Sequence, residues 1–72
     1  MKVIWEAKDI NPGRKYSKPG IETWIIGYMA NMHSTDRYVS ISISDGMVTK
    51  PKTKEDMAED LTTSGYLPVE LL

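Results

Sequence analysis

The sequence predicts an α+β fold, a single small domain in which a three- to four-stranded antiparallel meander carries one helix on one face. Alternation of apolar and polar residues at period two marks the strands. The dipeptide Asp45-Gly46 supplies a tight turn between two of them, and a capped amphipathic segment follows the last. The expected strands lie near residues 2–7, 21–30, 37–44 and 47–50, and the expected helix covers about residues 54–63.

The composition allows one domain, residues 1–72, and limits the kinds of site. A chain of 72 residues is too short for two cores. It has no cysteine, which excludes disulfides and thiolate metal sites, and its one histidine offers little for a nitrogen-ligated zinc site. We therefore expect no cofactor and no metal, and we expect an apolar core, aided by self-association, to stabilise the fold.

The hydropathy pattern predicts a cytoplasmic protein without a membrane-spanning segment. The longest apolar run, residues 24–30, is far shorter than the roughly 20 residues that a spanning helix needs. Glu6 interrupts the amino-terminal segment, where a signal peptide needs a continuous apolar stretch.

The first predicted strand is followed by a long surface loop. Near residues 2–7, an apolar face with Val3 and Trp5 alternates with a mixed face. Residues 11–20 are bounded by two Pro-Gly pairs, which fit neither a helix nor a central strand. Loops of this length often carry function.

The most apolar segment is the predicted strand at residues 21–30, which is apolar on both sides. Trp24 and Tyr28 lie on one side, and Ile25 and Met29 lie on the other. A strand of this kind is usually covered on both faces, but a single helix covers only one. We therefore expect a partner or a second copy of the chain to cover the other face.

The third and fourth strands are predicted to form a hairpin with Asp45-Gly46 as its two-residue loop. In that register Ile43 faces Val48, and the apolar residues of both strands lie on the face that packs against the helix. The serines that alternate with them, at positions 40, 42 and 44, are expected to form the solvent-exposed face of a two-layer domain.

The helix is predicted from its ends. Thr53 is a suitable N-cap, whose hydroxyl accepts from the amide of Asp56. Gly65 fits the left-handed position of a Schellman ending, after which residues 67–71 form a short closing strand or an irregular tail. The predicted core is Val3, Trp5, Val39, Ile41, Ile43, Val48, Met57, Ala58 and Leu61, together with one face of the strand at 21–30.

No motif in the sequence indicates an enzyme. The richest cluster, His33-Ser34-Thr35-Asp36, contains a base, two hydroxyls and a carboxylate. A nucleophilic triad, however, needs such groups to converge from separated elements. Ser, Thr and Asp are also the residues with which turns bond their own backbone. We therefore expect a protein without enzymatic activity.

The chain is interpreted as a protein-binding or accessory module, of a format common among small bacterial and phage proteins. Its expected partner is another protein or a second copy of itself, and a homodimer through the open sheet face is the simplest form. The candidate contact residues are aromatic side chains and helix acids: Trp24, Tyr28, Tyr38, Glu55, Glu59 and Asp60. Residues 55–72 contain five acidic and no basic side chains, so the helix either presents an acidic surface to a basic partner or is a solvated face with capping acids.

The alternative is a weak nucleic-acid contact module. Its candidate residues in the 11–20 loop are Arg14, Lys15, Tyr16 and Lys18. Their three positive charges can neutralise phosphates, and the tyrosine ring can stack on an unpaired base. The formal net charge of −1 and the absence of a glycine-rich phosphate cradle predict weak, salt-sensitive binding. Charge reversal in this loop should abolish nucleic-acid contact, whereas aspartate in the 21–30 strand should abolish protein binding.

Overall fold

The computed structural model describes residues 2–31 and 33–72 and confirms the α+β class. Its strands are β1 (Lys15–Ser17), β2 (Trp24–Tyr28), β3 (Tyr38–Ser42) and β4 (Leu67–Pro68), its helix is α1 (Lys54–Thr63), and 3-10 turns cover Ala7–Asp9 and Val69–Leu71. The strands form one antiparallel sheet in the order β3-β2-β1-β4. Three consecutive strands and a fourth that returns beside the first have the spatial order of a Greek key. The connection that returns to β4 contains α1.

The amino-terminal segment is not a strand, contrary to the prediction for residues 2–7. The amide of Trp5 instead donates to Thr62 Oγ1 at 2.8 Å, and the indole Nε1 of Trp5 donates to the carbonyl of Tyr66 at 2.9 Å. Thr62 near the end of α1 thus satisfies a backbone amide that a neighbouring strand would otherwise satisfy. Trp5 is in the core as predicted, although the local backbone is irregular.

The segment 11–20 is not a continuous surface loop, because it contains β1 within the sheet, between β2 and β4. Gly13 and Gly20 have φ of 90° and 81°, so the two glycines turn the chain into and out of this strand. A strand of three residues is too short to produce a recognisable alternation. The two Pro-Gly pairs therefore mark the ends of a strand and not the ends of a loop.

The turn after β3 is longer than predicted. Ile41, and not Ile43, pairs with Val48, and the amide of Gly46 donates to the carbonyl of Ser42 at 2.9 Å. A two-residue turn of type I′ needs positive φ at both central residues, but only the glycine of Asp45-Gly46 has it, with φ of 75°. The turn therefore takes a longer form, and the register shifts by two residues.

The predicted strand at residues 47–50 is an irregular edge segment that meets β3 at two isolated bridges, Ile41 with Val48 and Tyr38 with Lys52. Between the bridges, this segment contains one residue more than β3 does. Pro51 lies inside the segment and has no amide hydrogen, so a regular ladder does not continue through it. We call residues 47–52 the edge segment.

The sheet packs α1 against the face that the sequence pattern assigned to solvent. Ser40 and Ser42 pair with Ile26 and Trp24 on the helix side and are 4% and 2% exposed. The core consists of Trp5, Ile10, Tyr16, Ile26, Met57, Ala58 and Leu61, with Val3, Trp24, Tyr38 and Tyr66 packed at its margin. Two predicted core residues, Ile43 and Val48, are exposed, and Val39 and Ile41 also lie outside this cluster. Aromatic rings from β1 and β2 occupy the helix side, where small serines leave room for them.

The helix has the predicted bounds and ends. Thr53 Oγ1 accepts from the amide of Asp56 at 3.1 Å. At the other end, the amides of Tyr66 and Gly65 donate to the carbonyls of Leu61 and Thr62 at 3.0 and 3.2 Å. This pair of bonds is the Schellman pattern. No helix within residues 2–31 and 33–72 is long and apolar enough to cross a membrane.

Candidate functional site

The face of the sheet that points away from α1 carries a row of apolar residues. In the strand register, Ile25 lies beside Ile41 and Gly27 lies beside Val39. The edge segment adds Val48 beside Ile41. Beyond the end of β3, the amide of Ile43 donates to the carbonyl of Thr23 at 3.1 Å and continues the register. We call this surface the open face and define it by Ile25, Gly27, Val39, Ile41, Ile43 and Val48.

Gly27 allows the centre of the open face to pack tightly. A Cβ atom at position 27 would lie 3.1 Å from Ile41 Cδ1 and 3.2 Å from Val39 Cγ2. These two side chains therefore occupy the space above the glycine. Val39 is only 4% exposed although it does not belong to the helix-side core, so the open face has an ordered apolar centre of its own.

The exposed apolar surface is concentrated beside the long turn. Ile43 is 53% exposed and Val48 is 55% exposed, and Met29 at the far end of the β2–β3 pairing is 39% exposed. In the described parts of the chain the single α-helix packs on the opposite face. A contiguous exposed apolar patch, unlike a scattered exposed leucine, is the feature that marks interaction surfaces.

Both edges of the sheet resist the addition of another strand. Pro51 interrupts the edge segment beside β3, and β4 at the other edge has two residues, one of which is Pro68. Short edge strands and prolines prevent pairing with an additional chain. A partner that uses the apolar surface must therefore approach over the open face.

Lys15 flanks the open face at one end of β2. It is the register partner of Ile25 and is exposed. At the other end, the backbone carbonyl of Arg37 accepts from the amide of Met29 at 2.8 Å, but the Arg37 guanidinium bonds to Tyr28 on the helix side. The open face thus has an apolar centre and a charged residue at its margin, in keeping with the usual composition of a protein interface.

The aromatic residues proposed as partner contacts lie on the helix side of the sheet. Trp24 and Tyr38 are half-buried and pack at the margin of the core. Tyr28 is 44% exposed, and its ring centre lies 5.1 Å from that of Tyr38. Tyr28 also accepts a hydrogen bond from Arg37 Nη1 at 3.1 Å. The structure therefore brings two of these tyrosines together but separates all three rings from the open face.

The acids proposed as partner contacts form a separate surface on α1. Glu55, Glu59 and Asp60 are exposed. Asp60 makes a salt bridge with Lys52 of the edge segment, so a lysine already compensates part of the acidic charge. The sheet separates this surface from the open face, and one partner of ordinary size does not cover both at once.

The residues of the nucleic-acid alternative do not form one surface. They are Arg14, Lys15, Tyr16 and Lys18. Tyr16 is 5% exposed, so its ring is not free to stack on a base. Arg14 Nη2 lies 2.9 Å from Glu70 Oε1, and Lys18 Nζ lies 4.6 Å from the ring centre of Tyr66. The nucleic-acid alternative therefore has no exposed tyrosine ring for stacking. Two of its three basic side chains, Arg14 and Lys18, already contact other residues of the chain.

Two groups in this region have shifted pKa values. Burial raises the pKa of Tyr16 above its ordinary value. The pKa of Glu70 is lowered, first because its own backbone amide stabilises the carboxylate, and further because Arg14 hydrogen-bonds to it. Both shifts are explained by packing and local hydrogen bonding, and neither indicates a catalytic role.

The His33–Asp36 cluster is an exposed turn. The amide of Asp36 donates to Ser34 Oγ at 3.0 Å, and the carbonyl of Ser34 accepts from Arg37 Nε at 2.9 Å. These are the bonds that turns make with their own polar side chains. Within residues 2–31 and 33–72, no three His, Cys, Asp or Glu residues are grouped so that they could hold a metal ion.

Comparison with known proteins gives no functional lead. No family model, no curated protein and no solved structure matches the chain. The open face and its surroundings are therefore the basis on which a function is assigned.

Proposed function

We propose that this chain is a non-enzymatic protein-binding module that acts through the open face, with a second copy of the chain as its occupant. The observation that carries the proposal is the apolar row on the sheet face opposite α1, in which Ile43 and Val48 are about half exposed. Burying the exposed half of each side chain is worth roughly 1 kcal/mol. Self-association supplies the cover that the described part of the chain lacks.

A second copy offers the open face a surface of the same size and polarity. Two sheets that pack face to face with aligned strands are spaced about 10 Å apart, as in a β-sandwich. A two-fold axis then brings the same apolar row of each subunit against the other. Lys15 of each copy remains at the margin, where water and salt screen the repulsion between the two lysines. The closed edges favour this arrangement over strand addition.

The size of the open face predicts a weak dimer. The open face spans β2, β3 and the edge segment; three neighbouring segments about 4.8 Å apart, each about five residues long, give a surface of roughly 240 Å². Stable specific interfaces bury about 800 Å² on each partner. We therefore expect a transient dimer with a dissociation constant on the order of 100 µM.

Sedimentation velocity across a concentration series tests the proposal. The informative variants are Ile43→Asp and Val48→Asp, because both residues lie on the open face and are exposed enough to be changed without opening the core. Ile4→Asp is the matched control, since Ile4 is 72% exposed and lies in the amino-terminal segment. The wild-type chain and Ile4→Asp should sediment faster as concentration rises, and the two open-face variants should remain monomeric.

Either of two results would overturn the proposal. One is a wild-type chain that remains monomeric up to about 1 mM, well above the expected dissociation constant. The other is self-association that Ile43→Asp and Val48→Asp leave unchanged, whether or not Ile4→Asp affects it. Circular dichroism of each variant distinguishes lost association from lost folding.

A further inference from the structure

A cleft of about 200 Å³ lies on the helix side of the sheet, away from the open face. It is bounded by α1 and the residue that follows it, by the sheet, and by the edge segment. The rings of Tyr16, Trp24 and Tyr66 form part of its wall, and Ser40 and Thr49 contribute hydroxyls. Aromatic walls with a few placed polar groups are characteristic of small-molecule sites.

The cleft exists because β3 has small residues where the helix side of a sheet usually has large ones. Ser40 is opposite Ile26, is buried, and lines the cleft with a short side chain. Protein interiors contain few voids larger than one water molecule. A volume of 200 Å³ holds about six waters at about 30 Å³ each. Because an apolar cavity of about 150 Å³ accepts benzene, this cleft admits a six-membered ring with one polar substituent.

The wall of the cleft contains a buried donor without an acceptor. The indole Nε1 of Trp24 has no hydrogen-bond partner within residues 2–31 and 33–72. The other indole, that of Trp5, donates to the carbonyl of Tyr66 at 2.9 Å. Since buried polar groups are almost always paired and Trp24 lines the cleft, a molecule bound in the cleft can supply the acceptor that this indole lacks.

The hydroxyls of the cleft also have protons to donate. Ser40 Oγ accepts a hydrogen bond from the Tyr16 hydroxyl. Thr49 Oγ1 accepts from the amide of Ser40 at 2.9 Å. A serine or threonine that already accepts keeps its own proton for donation. The cleft therefore favours a ligand that brings acceptor oxygens.

A salt bridge between Lys52 and Asp60 closes part of the cleft wall by joining the edge segment to α1. The two side chains are 39% and 54% exposed, and exposed ion pairs of this kind are weak. The pair can therefore separate to admit a ligand, and Lys52 then offers a further donor to an acceptor oxygen.

We infer that this cleft binds a small planar molecule with one six-membered ring and a carbonyl or carboxylate group. The ring packs between the aromatic walls, and the oxygens accept from Trp24 Nε1 and from the hydroxyls of Ser40 and Thr49. This inference does not depend on the proposed self-association, because the two surfaces lie on opposite sides of the sheet.

The two indole N–H signals in a ¹H–¹⁵N correlation spectrum provide the test, since the chain has two tryptophans. The probes are benzoate and benzamide, which carry acceptor oxygens, and benzylammonium, which has the same ring but only donors. Benzoate and benzamide should shift the Trp24 signal saturably, whereas the Trp5 signal should remain in place. Benzylammonium should give no saturable shift, and Trp24→Phe assigns the two signals.

Variants at the cleft sharpen the test. Thr49→Val keeps the shape of the side chain but removes its hydroxyl, and it should weaken benzoate binding about three- to tenfold, the effect of one lost hydrogen bond. Thr63→Val at the exposed end of α1 is the matched control, and Ile43→Asp on the open face should also leave binding unchanged.

Three results would overturn the inference. The first is the absence of a saturable Trp24 shift with either acceptor probe at millimolar concentration, which would assign the cleft to water. The second is an equal response of both indole signals, and the third is equal binding of benzylammonium. The dispersion of the amide signals shows in each case whether the variant is folded.

Discussion

Replacing Ile26 and Ile43 by alanine, one at a time, tests which face of the sheet forms the core. Ile26 is 1% exposed on the helix side, and Ile43 is 53% exposed on the open face. Truncating Ile26 removes buried carbons and leaves a cavity, which should lower the free energy of unfolding by about 3–4 kcal/mol. Truncating Ile43 removes about half as much burial and leaves no enclosed cavity, so the loss should be about 1 kcal/mol.

Urea denaturation at low protein concentration measures both losses. A domain of this length is expected to be stable by about 4–11 kcal/mol, so the Ile26→Ala loss takes a large share of the total. With a slope of about 1 kcal/mol per molar urea, the midpoint should fall by about 3 M for Ile26→Ala and about 1 M for Ile43→Ala. Low concentration keeps dimerisation from adding to the wild-type stability.

Equal losses for the two variants, or a larger loss for Ile43→Ala, would refute the assignment of the faces. That outcome would restore the arrangement that the alternation of residues 38–44 predicts from sequence, with the odd-numbered residues beneath the helix. A concentration-dependent excess loss for Ile43→Ala alone would point instead to its role in self-association.

Three further predictions concern the helix cap and the two shifted pKa values. Thr53→Ala removes the acceptor of the Asp56 amide and should lower the free energy of unfolding by about 1 kcal/mol. Thermal unfolding measures this loss, and the control Thr63→Ala at the exposed helix end should change the free energy of unfolding by less than about 0.5 kcal/mol. Burial raises the pKa of Tyr16 in the folded state above the ordinary value of 10.0. The stability that the protonated hydroxyl contributes is therefore fully present below pH 10.0 and is lost as pH rises through the raised folded-state pKa. Tyr16→Phe should flatten the fall of the urea midpoint at alkaline pH. The pKa of Glu70 in the folded state is lowered from 4.5. The stability that the ionised carboxylate contributes is therefore present above pH 4.5 and is lost as pH falls through the lowered folded-state pKa. Glu70→Gln should reduce the fall of the urea midpoint at acidic pH, and an unchanged fall would contradict the shift.

The helix could be predicted from sequence because its signals are local. Thr53 caps the amide of a residue three positions later, and Gly65 takes positive φ just after the last turn. Neither feature depends on distant parts of the chain. The predicted and observed bounds of α1 agree for this reason.

The buried face of the sheet could not be predicted, because alternation separates two faces without saying which one meets the helix. β2 has apolar residues on both faces, so it does not decide the question. Two residues outside the strong patterns decide it: Tyr16, in a strand of three residues, and Ile10, which is 0% exposed just after a 3-10 turn. The buried Tyr16 hydroxyl then needs Ser40 as its acceptor on the helix side.

The candidate site was predictable in part. The doubly apolar strand at 21–30 predicted that the helix would cover only one face of the sheet, and in residues 2–31 and 33–72 the single α-helix packs on one face. The aromatic residues proposed to contact the partner lie on the helix side of the sheet, where Trp24 and Tyr38 pack at the margin of the core, and their contact with a partner stays a prediction. The cleft depends on how α1 lies over β3, and no local pattern reports that arrangement.

The measurement that most directly tests the open face as a self-association surface is an isotope-filtered NOE experiment. A concentrated sample mixes equal amounts of ¹³C-labelled and unlabelled chains, so that only contacts between subunits are detected. We predict intersubunit NOEs to the methyl groups of Ile25, Ile41 and Val48 and none to those of Ile26 or Leu61, which are buried between the sheet and the helix. A spectrum without intersubunit NOEs, or one whose NOEs arise only from exposed residues elsewhere such as Ile4 and Leu72, would contradict the account.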